Sequence, residues 1–239
     1  MIKAFKIPAA LRHRNFALLW GAMMISVAGS QMQLWALFWH VRELSADPIA
    51  VSGVGLARLI PIVAFSLFAG LAADRFDRRK ILYITQTVMI AVAAILGVLT
   101  LAGKMQLWHI YLLTGVQALA IAFDMPARQA LVPNLVPKKD LTNAYSIQSI
   151  AFNTGSIIGP ALSGLIIAYW GLSAVYIINA ITYIAIIVAL VLMKNIHQQS
   201  SLVQARTLSG SLAAIGEGIT FIKNHPIIWS SMVLDFMAT

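Results

Sequence analysis

With 239 residues, 60% of them hydrophobic and only 10% charged, and a mean hydropathy of +0.83, the chain lies outside the composition of soluble domains, where about a quarter of residues are charged. It has no cysteine, which excludes a disulfide framework and a thiolate metal site. The formal charge of +9 would suit a nucleic-acid binder, but the placement of the charges assigns them to membrane orientation and leaves no need for a nucleic acid or another acidic partner.

A bilayer core about 30 Å thick takes about 20 consecutive apolar residues per helix. Six runs of this kind follow one another: 16–41, 50–73, 81–102, 107–123, 144–170 and 172–193. A β-barrel would show segments of about 10 residues alternating apolar and polar, and none is present. The fold class read from this pattern is an all-α membrane protein, with a six-helix transmembrane bundle over residues 1–193. The first run is too long for a signal-peptide core and no small-residue cleavage site follows it, so it stays in the mature protein.

Lys3, Lys6, Arg12 and Arg14 precede the first run; Arg75, Arg78, Arg79 and Lys80 follow the second; Arg128, Lys138 and Lys139 follow the fourth; Lys194, Arg206 and Lys223 follow the sixth. Only Arg42 and Lys104 fall on the other side, and Arg58 lies within a run. Basic residues gather on the cytoplasmic face of membrane proteins, so the N-terminus and the segment after 193 are both expected in the cytoplasm. Connections on the opposite face are short, which makes neighbouring helices antiparallel. On the cytoplasmic face, residues 124–143 form a longer connection, and Pro126, Pro133 and Pro137 are expected to break the helix there.

Residues 194–225 read as a cytoplasmic linker. Within it Leu208, Leu212, Ile215, Ile219 and Ile222 recur at helical spacing, as in an amphipathic surface helix. Pro226 opens a last apolar run, 226–239, too short to span: the start of a seventh transmembrane helix.

The charged stretch GLAADRFDRRKIL (residues 70–82) carries charge at six of the seven positions 74–80, between two runs of spanning length. A solvated loop obeying charge asymmetry accounts for much of it. Its spacing also suits a latch: Gly70 admits a close neighbour, Asp74 faces the positive N-terminal end of another helix, and Arg78 bridges to a carboxylate elsewhere. In the fifth run, Gly155, Gly159 and Ser163 fall at i, i+4 and i+8, with Gly164 adjoining, so that one face admits close helix packing; Pro160 removes a backbone hydrogen bond and bends the helix. Arg58 lies about eight residues into the second run, where a charge costs about 2.5 to 3.5 kcal/mol on insertion scales. It either snorkels outward or lines a water-filled cavity and attracts an anionic substrate. Gln31, Gln33, Gln117, Gln148 and Asn153 are cavity hydrogen-bonders or glue between helices, with Asn153 turned away from the glycine face, and Asp235 is a candidate proton or substrate group. The five histidines show no metal-ligand spacing, and no serine motif or phosphate-binding loop is present, so neither an enzyme, a metal site nor a cofactor is expected.

The pattern G-x-x-x-D-R-x-x-R-R-K between the second and third runs resembles the signature loop of the major facilitator superfamily of secondary transporters, with Asp77 where that pattern has glycine. FDMPARQALVPNLVP (123–137) and NTGSIIGPALSGLI (153–166) are similar to the branch of drug and siderophore exporters that includes enterobactin-exporter-like proteins and transmembrane secretion effectors. The resemblance runs from about residue 15 to 226. It implies the N-terminal half of a twelve-helix fold in a bacterial inner (plasma) membrane, partnered by a missing C-terminal six-helix half. It implies efflux of small organic molecules by alternating access, coupled to protons as an antiporter. It also implies a gating latch of Gly70, Asp74, Arg75, Arg78 and Arg79 in which Arg78 bonds Asp124. The Gly-Pro element of the fifth run is linked in the family to antiporters, although Ser163 replaces one of its paired glycines. The alternative reading is a truncated, non-transporting membrane protein, a remnant or a partner-dependent half.

Overall fold

The computed structural model describes residues 8–194 and 229–230. The chain divides into two compact units, Met1–Gln199 and Ser200–Thr239, and the architecture that follows is that of the first. The linker segment with its amphipathic periodicity and the last apolar run, Asp235 included, lie outside the described residues apart from the helical, exposed Trp229 and Ser230.

Five α-helices carry the first unit: α1 (Arg14–Leu44), α2 (Pro48–Arg75), α3 (Arg78–Leu101), α4 (Leu107–Leu131) and α5 (Leu141–Leu192), with no strand among the described residues. Their starts and stops follow local chemistry. The Asp47 carboxylate accepts the Ile49 N–H at 2.8 Å ahead of Pro48 in the first turn of α2, which satisfies an orphan donor and presets the backbone. α3 ends on Gly103 at φ 63°. There the Gly103 N–H donates to the Thr100 carbonyl and the Lys104 N–H to that of Leu99, at 3.1 and 3.0 Å, closing the last turn as a left-handed glycine cap.

Two elements depart from the sequence reading. The fourth helix does not stop at Pro126 but runs on to Leu131. The N–H that proline lacks is outweighed by full burial of Ala127 and Leu131 and by an ion pair from Asp124 to Arg128 that spans the proline turn. The fifth and sixth runs form one helical element, interrupted at Gly171, where φ is 80° and ψ 174°. Hydrogen bonds show that it doubles back there. Along its first arm (141–170), Trp20 reaches the Ile147 carbonyl and Gln31 reaches Ser156, so α1 and this arm run parallel. Along the second arm (172–192), His40 meets Tyr176 and Ser30 meets Tyr183, so α1 and this arm run antiparallel. A side chain at 171 would be strained at that φ, which is why glycine makes the turn.

Among the described residues four segments are long and apolar enough to cross a membrane: Pro48–Arg75, Arg78–Leu101, Leu107–Asn134 and Lys138–Leu192. The last is 55 residues long, far beyond the 30 Å core, and its two arms are each of spanning length. α1 has 31 residues but carries Ser26, Ser30, Gln31, Gln33 and His40, which lower its hydropathy and serve the interior instead.

The helices meet at small residues. A Cβ at Gly155 would lie 2.6 Å from Val27 Cγ1, and one at Gly159 would lie 2.9 Å from the Ala28 carbonyl oxygen and 3.0 Å from the Met32 nitrogen. Gly29, on the opposite side of α1, abuts Thr182 and Asn179 of the second arm in the same way. Gly164 is exposed and a Cβ there would touch nothing within 4 Å, so the packing stripe is Gly155, Gly159 and Ser163, and Gly164 does not belong to it. Two apolar clusters fill the bundle, one about Phe16, Leu19, Leu82, Leu131 and Leu190 and the other about Met32, Leu96, Ile110 and Tyr176.

Gly159→Val forces α1 and the first arm apart, whereas Gly164→Val adds its methyls to open space. Thermal unfolding in detergent should show Gly159→Val destabilised by about 1–3 kcal/mol and Gly164→Val close to the parent. Equal melting of the two variants would show that the stripe is misplaced.

Candidate functional site

One end of the bundle collects the charged loop between α2 and α3, the segment after α4, and the start of α1 and the end of α5, where Asn15 Nδ2 donates to the Lys194 carbonyl at 2.8 Å. Asp77, at the position where the resembling loop pattern has glycine, caps α3: its carboxylate accepts the Arg79 and Lys80 N–H groups at 2.8 and 3.4 Å. The acid placed at a helix N-terminus is therefore Asp77 and not Asp74, which is exposed on the last turn of α2. An aspartate directly before a helix start is a cap signal legible in DRRKIL. Arg78 donates to Asn134 Oδ1 at 2.8 Å and to the Ala73 carbonyl at 3.3 Å. Arg79 Nη2 donates to the carbonyl of Leu190 at 2.5 Å, one of the last carbonyls of α5, which have no partner within the helix. These contacts tie α3 to the ends of α2, α4 and α5. Gly70 takes no part by close approach, since a Cβ there would touch nothing within 4 Å.

Asp124 is 4% exposed. It accepts hydrogen bonds from Arg128 Nε and Nη2 at 3.0 and 2.5 Å, from Thr85 Oγ1 at 3.0 Å and from Gln86 Nε2 at 2.7 Å. The Arg78–Asp124 bond expected at sequence level is not formed. The continuation of α4 through Pro126 places Arg128 one turn beyond Asp124 on the same face, and Arg128 occupies the carboxylate that Arg78 was expected to hold.

Deeper in the bundle a layer of polar side chains crosses from helix to helix. Gln33 Nε2 donates to Gln117 Oε1 at 2.6 Å, Gln117 Nε2 to the Tyr183 hydroxyl at 2.8 Å, Asn179 Nδ2 to Gln33 Oε1 at 2.6 Å and Ser30 Oγ to the Tyr183 hydroxyl at 3.0 Å. Beside this layer lies a cavity of about 620 Å³ whose walls come from all five helices. Arg58, Asp124 and Arg128 line it together with Ser30, Gln31 and Gln148, and its apolar wall includes Met23, Met89, Ile121, Met125 and Phe152. A second recess of about 30 Å³, bounded by Arg58, Thr114, Gln33 and Gln117, lies against the polar layer.

Of the sequence candidates, Gln31, Gln148 and Arg58 line the large cavity and Gln33 and Gln117 the recess. Asn153 is exposed and lines neither, because residues 148, 149 and 152 are the ones its helix turns toward the cavity. Ser30, Thr114, Asn179 and Tyr183 complete the buried layer and had no signal in the sequence beyond being polar within apolar runs. Arg128 had one, the i, i+4 spacing from Asp124. Among the described residues no group of three His, Asp or Glu is placed to hold a metal ion.

Residues 7–237 match the model of the transmembrane secretion effector family, and the chain belongs to that family of major facilitator transporters. It is similar to an uncharacterized MFS-type transporter, YfiS, of Bacillus subtilis, at 28% identity over 80% of this chain and 45% of the relative. It is also similar to the macrolide efflux protein A of Streptococcus pyogenes, at 26% identity over 70% of this chain and 41% of the relative. A third relative is the staphyloferrin A transporter of Staphylococcus aureus, at 33% identity over 64% of this chain and 39% of the relative. The chain thus spans less than half the length of each. Family membership and the apolar helices make it a multi-pass membrane protein.

Removing one partner of a buried ion pair leaves an uncompensated charge, and Asp124 and Arg128 are both largely buried. A double-mutant cycle on Asp124→Asn and Arg128→Gln, read by unfolding in detergent, should give a coupling of about 1–3 kcal/mol. The same cycle with Arg78→Gln should give about zero. A larger coupling for Arg78 would restore the pairing read from the sequence.

Proposed function

We propose that this member of the transmembrane secretion effector family is the first six-helix half of a twelve-helix secondary transporter, exporting small organic molecules by alternating access with proton coupling. The observation that carries the reading is the cavity of about 620 Å³ within the bundle, walled by charged, polar and methionine side chains of five helices. That volume suits a drug-sized ligand, and methionine walls repack around varied shapes. The names of the relatives, a macrolide efflux protein and a siderophore transporter, support efflux of such molecules.

The basic end of the bundle faces the cytoplasm of a bacterial inner membrane in this reading, in line with the charge asymmetry. Access alternates as this half and the second half rock about a binding site between them. The loop from Asp74 to Lys80 acts as the gating latch, with Arg78 held on Asn134, Arg79 on the end of α5, and Asp77 as the cap that orders both arginines. Asp124, the buried carboxylate of the cavity wall, belongs to the latch end through its pair with Arg128. The 194–225 linker joins the halves, the 226–239 segment begins the seventh helix, and Asp235 is a candidate proton or substrate group.

Inverted membrane vesicles from cells making the protein at its full natural length should, when energised, accumulate at least one of two fluorescent probes of opposite charge, pyrenebutyrate or ethidium, and a protonophore should abolish the accumulation. Met125→Trp narrows the cavity at its methionine wall and should cut the initial rate at least about tenfold, the effect of about 1.4 kcal/mol lost in binding. Accumulation that ignores both the proton gradient and Met125→Trp would reject the reading.

A further inference from the structure

Arg58 is a half-buried cation on α2, and among the described residues it makes no hydrogen bond and no ion pair. The cavity wall holds one acid, Asp124, whose carboxylate already accepts four hydrogen bonds, two of them from Arg128. Arg58 is therefore the uncompensated charge of the cavity, inside a helix long and apolar enough to span, where a lone charge is costly and counter-charge is at a premium.

Thr114 lines the same recess of about 30 Å³ as Arg58. Thr114 is 3% exposed, and its Oγ1 is buried with no hydrogen-bond partner. The amides on this wall are engaged with their neighbours: Gln117 Oε1 receives Gln33, and Gln33 Oε1 receives Asn179. What the recess offers is thus a guanidinium fork and an unpartnered hydroxyl, with no carboxylate on its wall. A guanidinium presents N–H groups in the plane of a carboxylate, and the recess has room for a group little larger than a water molecule. Arg58 also lines the large cavity, whose methionine and phenylalanine wall is where an apolar body would lie.

We propose that Arg58 and Thr114 form an anion-recognition subsite and that the transported molecule is an amphiphilic organic anion. Its carboxylate sits in the recess on the Arg58 fork and the Thr114 hydroxyl, and its apolar body lies against Met89, Met125 and Phe152. This rests on the exporter reading and adds the charge and polarity of the substrate. The subsite also explains how a cation is kept in a spanning helix: the charge is matched when substrate arrives, so binding of a neutral or cationic analogue leaves Arg58 unmatched and is disfavoured.

The test uses the purified protein at its full natural length in detergent with two probes that share one apolar body, pyrenebutyrate and pyrenebutyl-trimethylammonium, followed by fluorescence anisotropy. The carboxylate probe should bind at least about tenfold tighter than the ammonium probe. Arg58→Gln should remove that preference, Arg58→Lys should restore part of it, and Thr114→Val should weaken the carboxylate probe several-fold while leaving the ammonium probe unmoved. Thr114→Val replaces an unpartnered hydroxyl with a methyl of similar size, so it reports on the subsite even if Arg58→Gln fails to fold. Equal binding of the two probes, binding of neither, or a carboxylate preference that survives both Arg58→Gln and Thr114→Val overturns the proposal. Survival in both variants would mean that the anion is recognised elsewhere. If the anion preference is absent while energised vesicles still accumulate ethidium, the subsite alone fails. If vesicles accumulate nothing and Met125→Trp changes nothing, the exporter reading fails with it.

Discussion

Lipid tails are as apolar as leucine, so packing leucine on leucine does little to hold helices together in a bilayer. The layer of Ser30, Gln33, Gln117, Asn179 and Tyr183 does that work here. Its four interhelical hydrogen bonds join α1 to α4 and to the second arm of α5, each worth about 0.6 kcal/mol on average and up to about 1.7. Gly29 lets the backbones of α1 and the second arm of α5 come close enough for those side chains to meet, and Gly155 and Gly159 seat α1 against the first arm. The polar layer and the small-residue contacts are therefore one device. Without the glycines the amides would stand too far apart, and without the amides the close contact would have only dispersion to hold it.

The cavity follows from where that device stops. α1, α4 and the second arm are bound to one another through the layer, whereas α2 reaches its neighbour α4 by packing, with Gly53 against Tyr111 and Gly115 against the Ala57 carbonyl, and by one bond from Tyr111 to the Ala50 carbonyl at 2.9 Å. α2 exposes Leu56, Leu59, Ile60, Val63, Phe65 and Phe68, and the side chain it sends to the polar layer is Arg58. The space left between the tight group of helices and the first arm is lined by what each helix turns inward. That is how one volume comes to hold both a charged pair and a methionine wall.

At the basic end, the charged loop acts through caps and helix ends more than through carboxylates. Asp77 starts α3, Arg78 holds Asn134, and Arg79 takes a terminal carbonyl of α5. Asp77 satisfies the first N–H groups of α3, Arg78 also takes the Ala73 carbonyl at the end of α2, and Arg79 reaches α5, so three consecutive residues tie together the ends of four helices. Asp124 and Arg128 satisfy each other one turn deeper, independently of the loop.

Residue type and spacing were enough to determine the class, the apolar runs, the asymmetry of basic charge, the glycine stripe on the fifth run and the polar positions within the membrane, because each depends only on local composition and helical period. The cap at Asp77 and the i, i+4 pair of Asp124 and Arg128 were legible by the same means, although the latter was hidden by reading Pro126 as a stop. Tertiary structure alone decided which polar residues meet. Gln33, Gln117, Asn179 and Tyr183 are far apart in the chain, and nothing in their own neighbourhoods tells them from Asn153, which turns outward. It also decided that Gly164 and Gly70 have open space beside them, and that Arg58 and Thr114 line one recess. Contacts between distant segments depend on the direction and depth at which whole helices pack, and helix periodicity fixes a face but not the partner it meets.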